Sequence, residues 1–421
     1  MANFRATRHS VMGRTDTVSA TRRHRPDYWL VVITVVLLSI GLILVYSIGP
    51  ALAATRGGGA NSFVGRQFVA VLMGAVAFLV TSKVPLKLWR RWQWALLGLA
   101  LMGTLVALIT PVIPAYPAHR WIRLGGFSLQ SVEALKFALV IATAGFLAIQ
   151  AKRGELANNR TTLYPMMIVL GGLGLIVAGI QSDLGSMGVI VAMLGAMAYV
   201  AGLPLKRIVI IGLIAIVGAV LLISSTPYRR ARLATYLDPA AHCQTTGYQA
   251  CQALIAIGSG GIAGLGLGQG AQAYGYLPEA QNDSIFAIYA EKFGFIGTML
   301  LTALFVTLFA RMRIIVERAP TLFSRLLVVG ILAWLSTQTI INIGAMIGLL
   351  PLKGITLPLV SYGGTSVLFV GAALGLVFQI SHYTNFASRV SQRKGDGHEG
   401  NHDGRRLGRT YNADSSRRIR A

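Results

Sequence analysis

Several acidic and basic side chains lie where long apolar runs of the sequence begin or end. A carboxylate in such a place can exchange a proton with a bound reactant, and a cation can hold an anionic group. Ionisable groups at membrane depth cost free energy and tend to mark function. The set comprises Glu133, Lys136, Asp183, Glu279, Asp283 and Lys353.

Each member of this set also has a purely structural interpretation. Asp283 and Ser284 precede an apolar run and are typical helix N-caps, and Asp183 could cap a helix in the same way. Glu133 and Lys136 are three residues apart, so they share a helix face and could form a buried pair that fixes packing. The residues alone leave both interpretations open.

Other chemistries find little support in the pattern. The glycine run from Gly258 to Gly270 departs from the spacing of a nucleotide-binding loop, and no strand is predicted before it. No His, Cys and acid cluster has metal-site spacing, and no Ser-His-acid set is evident.

The elements that must position these residues are membrane helices. The 421 residues are 54% hydrophobic and only 12% charged, and the mean hydropathy of +0.63 is far above that of soluble proteins. Apolar runs of about 20 residues predict an all-α, polytopic protein with about ten transmembrane helices. The predicted helices lie near residues 28–49, 63–82, 93–113, 133–151, 163–180, 184–202, 206–224, 285–310, 322–350 and 359–385.

The distribution of cations predicts the orientation. A net charge of +24 would suggest nucleic acid in a soluble protein, but most of these cations lie in alternate loops and in the two tails. The positive-inside rule then places both termini in the cytoplasm. Residues 1–27 form a basic N-terminal tail and residues 28–387 the membrane domain. Residues 388–421 form a basic tail too polar to fold alone, which could contact anionic membrane lipids or be a solvated end.

With this topology, the longest external segment runs from residue 225 to residue 284, between helices seven and eight. Its apolar stretch near residues 254–262 predicts an interfacial or re-entrant segment packed against protein. The chain's two cysteines, Cys243 and Cys251, both lie in this loop. They are a candidate disulfide if the compartment is oxidising, and two free thiols otherwise.

A series of motifs between residues 26 and 385 resembles the SEDS family (shape, elongation, division and sporulation). The order of the motifs along a ten-helix frame is more specific than any one of them. The opening Arg25 to Tyr28 and the stretch Lys353 to Leu359 resemble the division branch, FtsW, more than the elongation branch, RodA. The motifs are Arg66-Gln67, Arg120 to Ile122, Gln130 to Lys136, Gln181 to Gly185, Gly247 to Gln249, Ile257 to Gly261, Tyr276 to Glu279, Asp283 to Ala287, Gln338, Asn342, Gly348 to Pro351 and Pro358 to Gly364.

The resemblance implies a peptidoglycan glycosyltransferase that polymerises glycan strands from lipid II at the outer face of the cytoplasmic membrane. The family's essential aspartate matches Asp283, the expected general base. Cations would hold the leaving diphosphate, and a divalent cation (Mg²⁺ or Mn²⁺) could share that role, although the sequence shows no dedicated metal cage. The expected substrate-binding residues are Arg66, Arg120, Glu133, Lys136, Asp183, Arg229, Arg232, Glu279, Asn342, Lys353 and Ser361. For the cations, snorkelling to the membrane interface is the alternative.

The resemblance also implies partners in cell division. The expected partners are a class B penicillin-binding protein that crosslinks the new strands, other divisome proteins and membrane lipids, with no role for nucleic acid. Two other functions remain open from the sequence. One is a lipid II flippase, which polar residues confined to the outer half argue against. The other is a scaffold that activates a partner without doing chemistry.

Overall fold

The computed structural model is mostly helical, and ten of its helical segments are long and apolar enough to cross a membrane. It describes residues 22–23, 25–56, 59–110, 119–124, 127–225 and 227–384. Most of the predicted N-terminal tail and all of the predicted tail 388–421 lie outside these residues. The α-helices are α1 (Tyr28–Arg56), α2 (Ala60–Lys83), α3 (Leu86–Ile109), α4 (Ser131–Arg153), α5 (Tyr164–Leu173), α6 (Leu184–Ala201), α7 (Leu205–Ser224), α8 (Pro227–Leu237), α9 (Tyr248–Gly260), α10 (Ile285–Arg318), α11 (Leu322–Met346) and α12 (Gly364–Ser381).

The ten membrane spans are these helices without α8 and α9, and α5 is extended by π-helical turns at Asn159–Leu163 and Gly174–Ile180. The prediction of about ten spans is confirmed. Several predicted limits were wrong by several residues. Helices α1 and α3 continue beyond their apolar runs into polar residues, whereas other predicted helices included apolar residues of the neighbouring loops. The predicted ninth and tenth helices, for example, ran into the connection between α11 and α12, which is irregular from Ile347 to Gly363.

Short antiparallel strands, which the sequence did not predict, accompany the helices. Strand β1 (Arg22–Arg23) pairs with β4 (Tyr383–Thr384), and β2 (Trp121–Leu124) pairs with β3 (Phe127–Gln130). The first pair brings the two ends of the described chain together at one end of the bundle, as an even number of spans requires. An ion pair of 2.7 Å between Arg311 and Asp27 places the C-terminal part of α10 at that same end. The segment before Ile285 therefore lies at the opposite end, which we call the far end.

The core is formed by α4, α6, α11 and α12. In α4 and α12, 78% of the most apolar 18-residue stretch is buried. In α7, no residue of the corresponding stretch is buried. Helix α6 packs along α11, α2 along α12 and α3 along α4. The central helices thus face protein and hold the polar groups of the bundle, while α7 faces lipid with its apolar surface.

The predicted long loop, residues 225–284, is built from short helices. Helices α8 and α9 are followed by a glycine-rich segment and a π-helical turn (Gln272–Tyr276). Helix α10 is broken at Gly294, whose φ is +64°. The glycine-rich segment bonds to the exposed backbone at this break: Leu265 N donates to Glu291 O at 2.9 Å, and Phe295 N donates to Gly261 O at 2.9 Å. Backbone groups that the break frees at membrane depth are satisfied in this way.

Candidate active site

Asp283 lies at the far end of the bundle, directly before α10. Its side chain is buried, with 9% of the residue exposed. The Nε2 atom of Gln249, in the first turn of α9, lies 3.4 Å from each oxygen of the Asp283 carboxyl group. The carboxyl group does not cap α10, since Ser284 holds the N-cap position. It lines a small cavity together with Asn342, Lys353 and Gly354.

The surroundings of Asp283 favour its protonated form. Burial raises the pKa of Asp283 to about 7, and the negative charge of Glu279 contributes to the rise. The hydrogen bond from Gln249 and the positive charge of Arg232 act in the opposite direction. A carboxyl group with a pKa near 7 can both accept and release a proton at neutral pH, as a general base must.

The main chain around Asp283 is held by polar side chains of the core. Asn342 in α11 donates from Nδ2 to the carbonyl oxygens of Asp283 (2.7 Å) and Ile355 (2.6 Å). Ser361 donates from Oγ to the carbonyl oxygen of Asn282 at 2.6 Å. Both side chains are buried, and both connect the segment before α10 to the irregular connection between α11 and α12. We infer that they position Asp283, a role that preorganised sites require.

A second cavity carries the cations. A solvent-open cleft is lined by Arg120, Arg229, Arg232 and Lys353. Lys353 also lines the cavity of Asp283, so the two cavities meet at this residue. Burial and the neighbouring charges of Arg232 and Arg229 lower the pKa of Lys353, while Asp183 opposes this effect. The cations repel one another here, so an anionic ligand in the cleft would relieve that repulsion.

Two of the arginines also bind backbone carbonyls. Arg120 donates from Nη2 to the carbonyl oxygen of Ser182 at 2.6 Å and from Nε to that of Gln181 at 3.0 Å. Arg229 donates to the carbonyl oxygens of Ala178 and Leu222, each at 2.9 Å. These carbonyls follow or end membrane helices, where cations are stabilising. Ser131 N, at the start of α4, donates to the carbonyl oxygen of Arg120 at 3.4 Å.

The structure gives Asp183 the capping role. Its Oδ1 accepts a hydrogen bond from Ser186 N at 3.0 Å, and its Oδ2 accepts one from Ser186 Oγ at 2.8 Å. Asp183 is therefore the N-cap of α6.

Glu133 and Lys136 form a buried ion pair of 2.7 Å inside the core. The ammonium group of Lys136 also donates to Gln338 Oε1 at 2.8 Å and lies 5.1 Å from the centre of the Trp334 ring. Gln338 in turn donates to the carbonyl oxygen of Thr356, in the connection that carries Lys353. This pair is therefore linked through Gln338 to the connection that carries Lys353, and it does not line either of the two cavities described.

The remaining predicted residues occupy different surroundings. Arg66 is exposed in α2 and does not line either cavity described. Glu279 has a φ of +51°, a left-handed conformation that is strained for this residue, and its carboxylate accepts a hydrogen bond from Asn282. Cys243 and Cys251 are joined by a disulfide. Among the residues that the structure describes, no three His, Cys, Asp or Glu side chains converge as a metal site.

The sequence interpretation missed Gln249 and Gly354. Gln249 belongs to a motif of the resemblance, but only the fold brings α9 against Asp283. Gly354 has a φ of +63°, and a Cβ atom added to it would be 3.6 Å from Asp283 Oδ2. The sequence signal that could have identified Gly354 is its position next to Lys353.

These features define a class of protein: a helical membrane protein, with ten spans in the part that the structure describes, whose buried carboxyl group and cations meet at one end of the bundle. A family model for the FtsW, RodA and SpoVE cell cycle proteins matches residues 28–386. The chain belongs to this family, and it is a multi-pass protein of the cytoplasmic membrane. The predicted family and the predicted localisation are confirmed.

Two curated relatives illustrate the similarity. The chain is 37% identical to stage V sporulation protein E of Bacillus subtilis, over 87% of this chain and 100% of that protein. It is 38% identical to a probable peptidoglycan glycosyltransferase FtsW of Saccharophagus degradans, over 85% of this chain and 92% of that protein.

Solved structures share the fold. A chain from a peptidoglycan synthase complex that coordinates polymerization and crosslinking matches with a TM-score of 0.66 and 25% identity, covering 85% of this chain and 97% of that one. The rod shape determining protein RodA of Thermus thermophilus matches with a TM-score of 0.58 and 24% identity, covering 85% and 96%.

Proposed function

We propose that this protein is a peptidoglycan glycosyltransferase that polymerises glycan strands from lipid II at the outer face of the cytoplasmic membrane, in cell division. The observation that carries the proposal is the meeting of the Asp283 cavity with the cation cleft at Lys353. A proton acceptor and anion-binding groups are adjacent there, and a reaction with a diphosphate leaving group requires both. Relatives named as probable peptidoglycan glycosyltransferases, and the likeness to a chain of a peptidoglycan synthase complex, support this reaction.

The reaction is a single displacement. The 4-hydroxyl oxygen of the acceptor sugar forms a bond with the anomeric carbon of the donor strand, and the bond from that carbon to the lipid diphosphate breaks. Asp283 takes the proton of the hydroxyl group, and the diphosphate leaves with the bonding electron pair. The negative charge that develops on it is stabilised by Lys353 and Arg232. Inversion at the anomeric carbon then needs no covalent intermediate.

The cations of the cleft have different roles in this proposal. Arg120 and Arg229 donate to backbone carbonyls, so they shape the cleft and supply its positive potential. Lys353 lies at the junction of the cavities and receives the leaving group. A divalent cation such as Mg²⁺ or Mn²⁺, bound to the diphosphate oxygens, could share this role. Polymerisation measured with each cation added, and with a chelator, decides its contribution.

The orientation and the partner also belong to the proposal. The positive-inside rule places the termini in the cytoplasm, so the far end of the bundle faces outward, where headgroups of lipid II would be presented. The structural neighbour that coordinates polymerization and crosslinking supports a working partnership with a crosslinking enzyme. We propose a class B penicillin-binding protein, within the division machinery, as that partner.

Polymerisation of labelled lipid II by the purified protein tests the proposal. The wild-type protein should yield glycan ladders, and Asp283→Asn should yield none at comparable times. Ladders from Asp283→Asn at the wild-type rate would eliminate the assignment of the base. A parallel assay in liposomes that found lipid II translocation without polymer would favour the flippase. Polymer formed only by an added partner, whatever residue stands at position 283, would favour the scaffold.

A further inference from the structure

Gln249 is the polar side chain that approaches Asp283 from α9, and the mechanism above gives it no part. Its Nε2 atom lies 3.4 Å from both carboxylate oxygens of Asp283 and 3.1 Å from Ser284 Oγ. An amide N–H that faces both oxygens stabilises the ionised carboxylate and limits its rotation. Asp283 can act as a base only in that ionised form.

The first turn of α9, which carries Gln249, lacks a side-chain cap. The N-cap of α9 is Gly247, which provides no side-chain hydrogen bond to the free amides of the first turn. Gly247 is instead packed closely on the preceding segment, where a Cβ atom would lie 2.9 Å from the carbonyl oxygen of His242. Its own N–H donates to that same oxygen at 2.9 Å. The position of the first turn therefore depends on the segment before it.

A disulfide joins that segment to the first turn. Cys243 and Cys251 are eight residues apart in the sequence, and their Cα atoms are 5.6 Å apart. Gln249 lies inside the loop that this bridge closes. Crosslinking the loop restricts the conformations available to Gln249. In another helix, a side-chain cap or a close packing contact could fix the first turn in the same way.

Other charged groups also act on Asp283, so the effect of Gln249 has to be separated from theirs. Glu279 faces it from the same turn, Arg232 faces it from α8, and Lys353 lines its cavity from the connection after α11. None of these groups lies within the disulfide loop. A change confined to that loop should alter the contact with Gln249 and leave the three charges in place.

We propose that Gln249 is a positioning residue that holds Asp283 in its ionised, oriented state, and that the Cys243–Cys251 bridge maintains this contact, so that polymerisation depends on the redox state of the bridge. The inference rests on the proposed function, in which Asp283 is the base.

The pH dependence of polymerisation provides the first test. Gln249→Leu keeps the bulk of the side chain and removes the donor, which raises the pKa of Asp283 further. The midpoint of the rising limb should move to higher pH by up to about one unit, giving up to about tenfold slower polymerisation at neutral pH and recovery in alkaline buffer. Gln249→Glu, which places a carboxylate beside Asp283, should move the midpoint in the same direction. Gln244→Leu is the matched control, because Gln244 is exposed within the same loop.

The bridge is tested by a double-mutant cycle. The variant with Cys243→Ser and Cys251→Ser should show the same alkaline shift as Gln249→Leu, and the two changes combined should give no larger shift than either alone. A thiol reductant should slow the wild-type protein by the same factor and leave the serine variant unchanged. A bridge that only stabilised the fold would add its effect to that of Gln249→Leu and would lower the rate equally at every pH.

The outcomes separate this inference from the function on which it depends. If Asp283→Asn is inactive while Gln249→Leu has the wild-type pH profile, the positioning role is excluded and the proposed function stands. Additive effects in the cycle, or a wild-type rate that reductant does not change, exclude the role of the bridge. If Asp283→Asn polymerises lipid II normally, the proposed function fails first.

Discussion

Asp183 and Asp283 stand in similar local sequences but in different chemical surroundings. Each is the third residue of a short polar run that starts with glutamine, Gln181 or Gln281, and each comes just before a membrane helix. Both carboxylate oxygens of Asp183 accept hydrogen bonds from Ser186. The carboxyl group of Asp283 accepts a long hydrogen bond, 3.4 Å, from the side-chain amide of Gln249 and faces a cavity. A carboxylate satisfied by the cap of its own helix stabilises the fold, whereas one that faces a cavity is available to a substrate.

The difference arises one turn into each helix. Ser186 supplies the amide and the hydroxyl group that complete the cap of α6. The corresponding residue after Asp283 is Phe286, which is buried and has no hydroxyl group to donate. Asp283 is also displaced by one position, since Ser284 is the N-cap residue of α10. Five predictions test whether this contrast separates catalysis from stability.

Replacement of the carboxylate that faces the cavity, Asp283, should have the largest effect. Asp283→Asn keeps the shape and the contact with Gln249 but cannot accept a proton, so polymerisation should fall by about 10²- to 10⁴-fold. The measurement is the rate of glycan ladder formation from lipid II. Thermal unfolding in detergent should remain close to that of the wild type, and a large loss of stability would instead place Asp283 with the structural residues.

Breaking the buried ion pair in the core should be the most harmful change to the fold. Lys136→Met leaves the carboxylate of Glu133 buried without its cation, which should cost about 3 to 5 kcal/mol of unfolding free energy. The double variant Glu133→Gln with Lys136→Met should recover much of this loss. Thermal unfolding in detergent measures both. The exposed pair Arg313–Glu317 is the control, and its removal should change little. Equal stability of the single and double variants would contradict the argument.

The sequence predicted the ten-span architecture and the end of the bundle that carries the site. It did not predict which residues at that end face a cavity and which stabilise the fold. Ten apolar runs separated by basic loops predict ten spans because a lipid bilayer imposes both length and charge asymmetry. The contrast between Asp183 and Asp283 depends on Gln249, Asn342 and Lys353, which lie far from Asp283 in the sequence. Local spacing carries no information on which distant side chain will fill a hydrogen-bond position. For the same reason Arg120 and Arg229 could not be distinguished from Lys353 as ligands of an anion.

The cation at the junction of the cavities should matter nearly as much as the base. Lys353→Ala should reduce polymerisation by about 10²-fold, because one group that stabilises the leaving diphosphate is lost. Lys353→Arg should recover part of the rate. Arg66→Ala is the control, since Arg66 lines neither cavity described, and it should retain most of the wild-type rate. Equal losses at Lys353 and Arg66 would indicate that only the overall positive charge matters.

The negative charge next to Asp283 should set the pH dependence. In the wild-type protein the rate should rise with pH through a midpoint near 7, as Asp283 with a pKa of about 7 loses its proton. Glu279→Gln removes one cause of the raised pKa, so the midpoint should move to lower pH by less than about one unit. The amide can still accept the hydrogen bond from Asn282. Rate measurements between acidic and mildly alkaline pH give the midpoint, and a shift to higher pH would contradict the assignment of Asp283 as the titrating base.

The satisfied carboxylate should give the smallest effect. Asp183→Ala removes the cap of α6 and should lower the unfolding free energy by about 1 kcal/mol, with the specific activity of the folded protein retained. Asp183→Asn can still accept from Ser186 N and should be nearly as stable as the wild type. Thermal unfolding and polymerisation of lipid II by the same preparations separate the two properties. A loss of polymerisation comparable to that of Asp283→Asn, without loss of stability, would show that Asp183 acts on the substrate and that the two carboxylates are functionally alike.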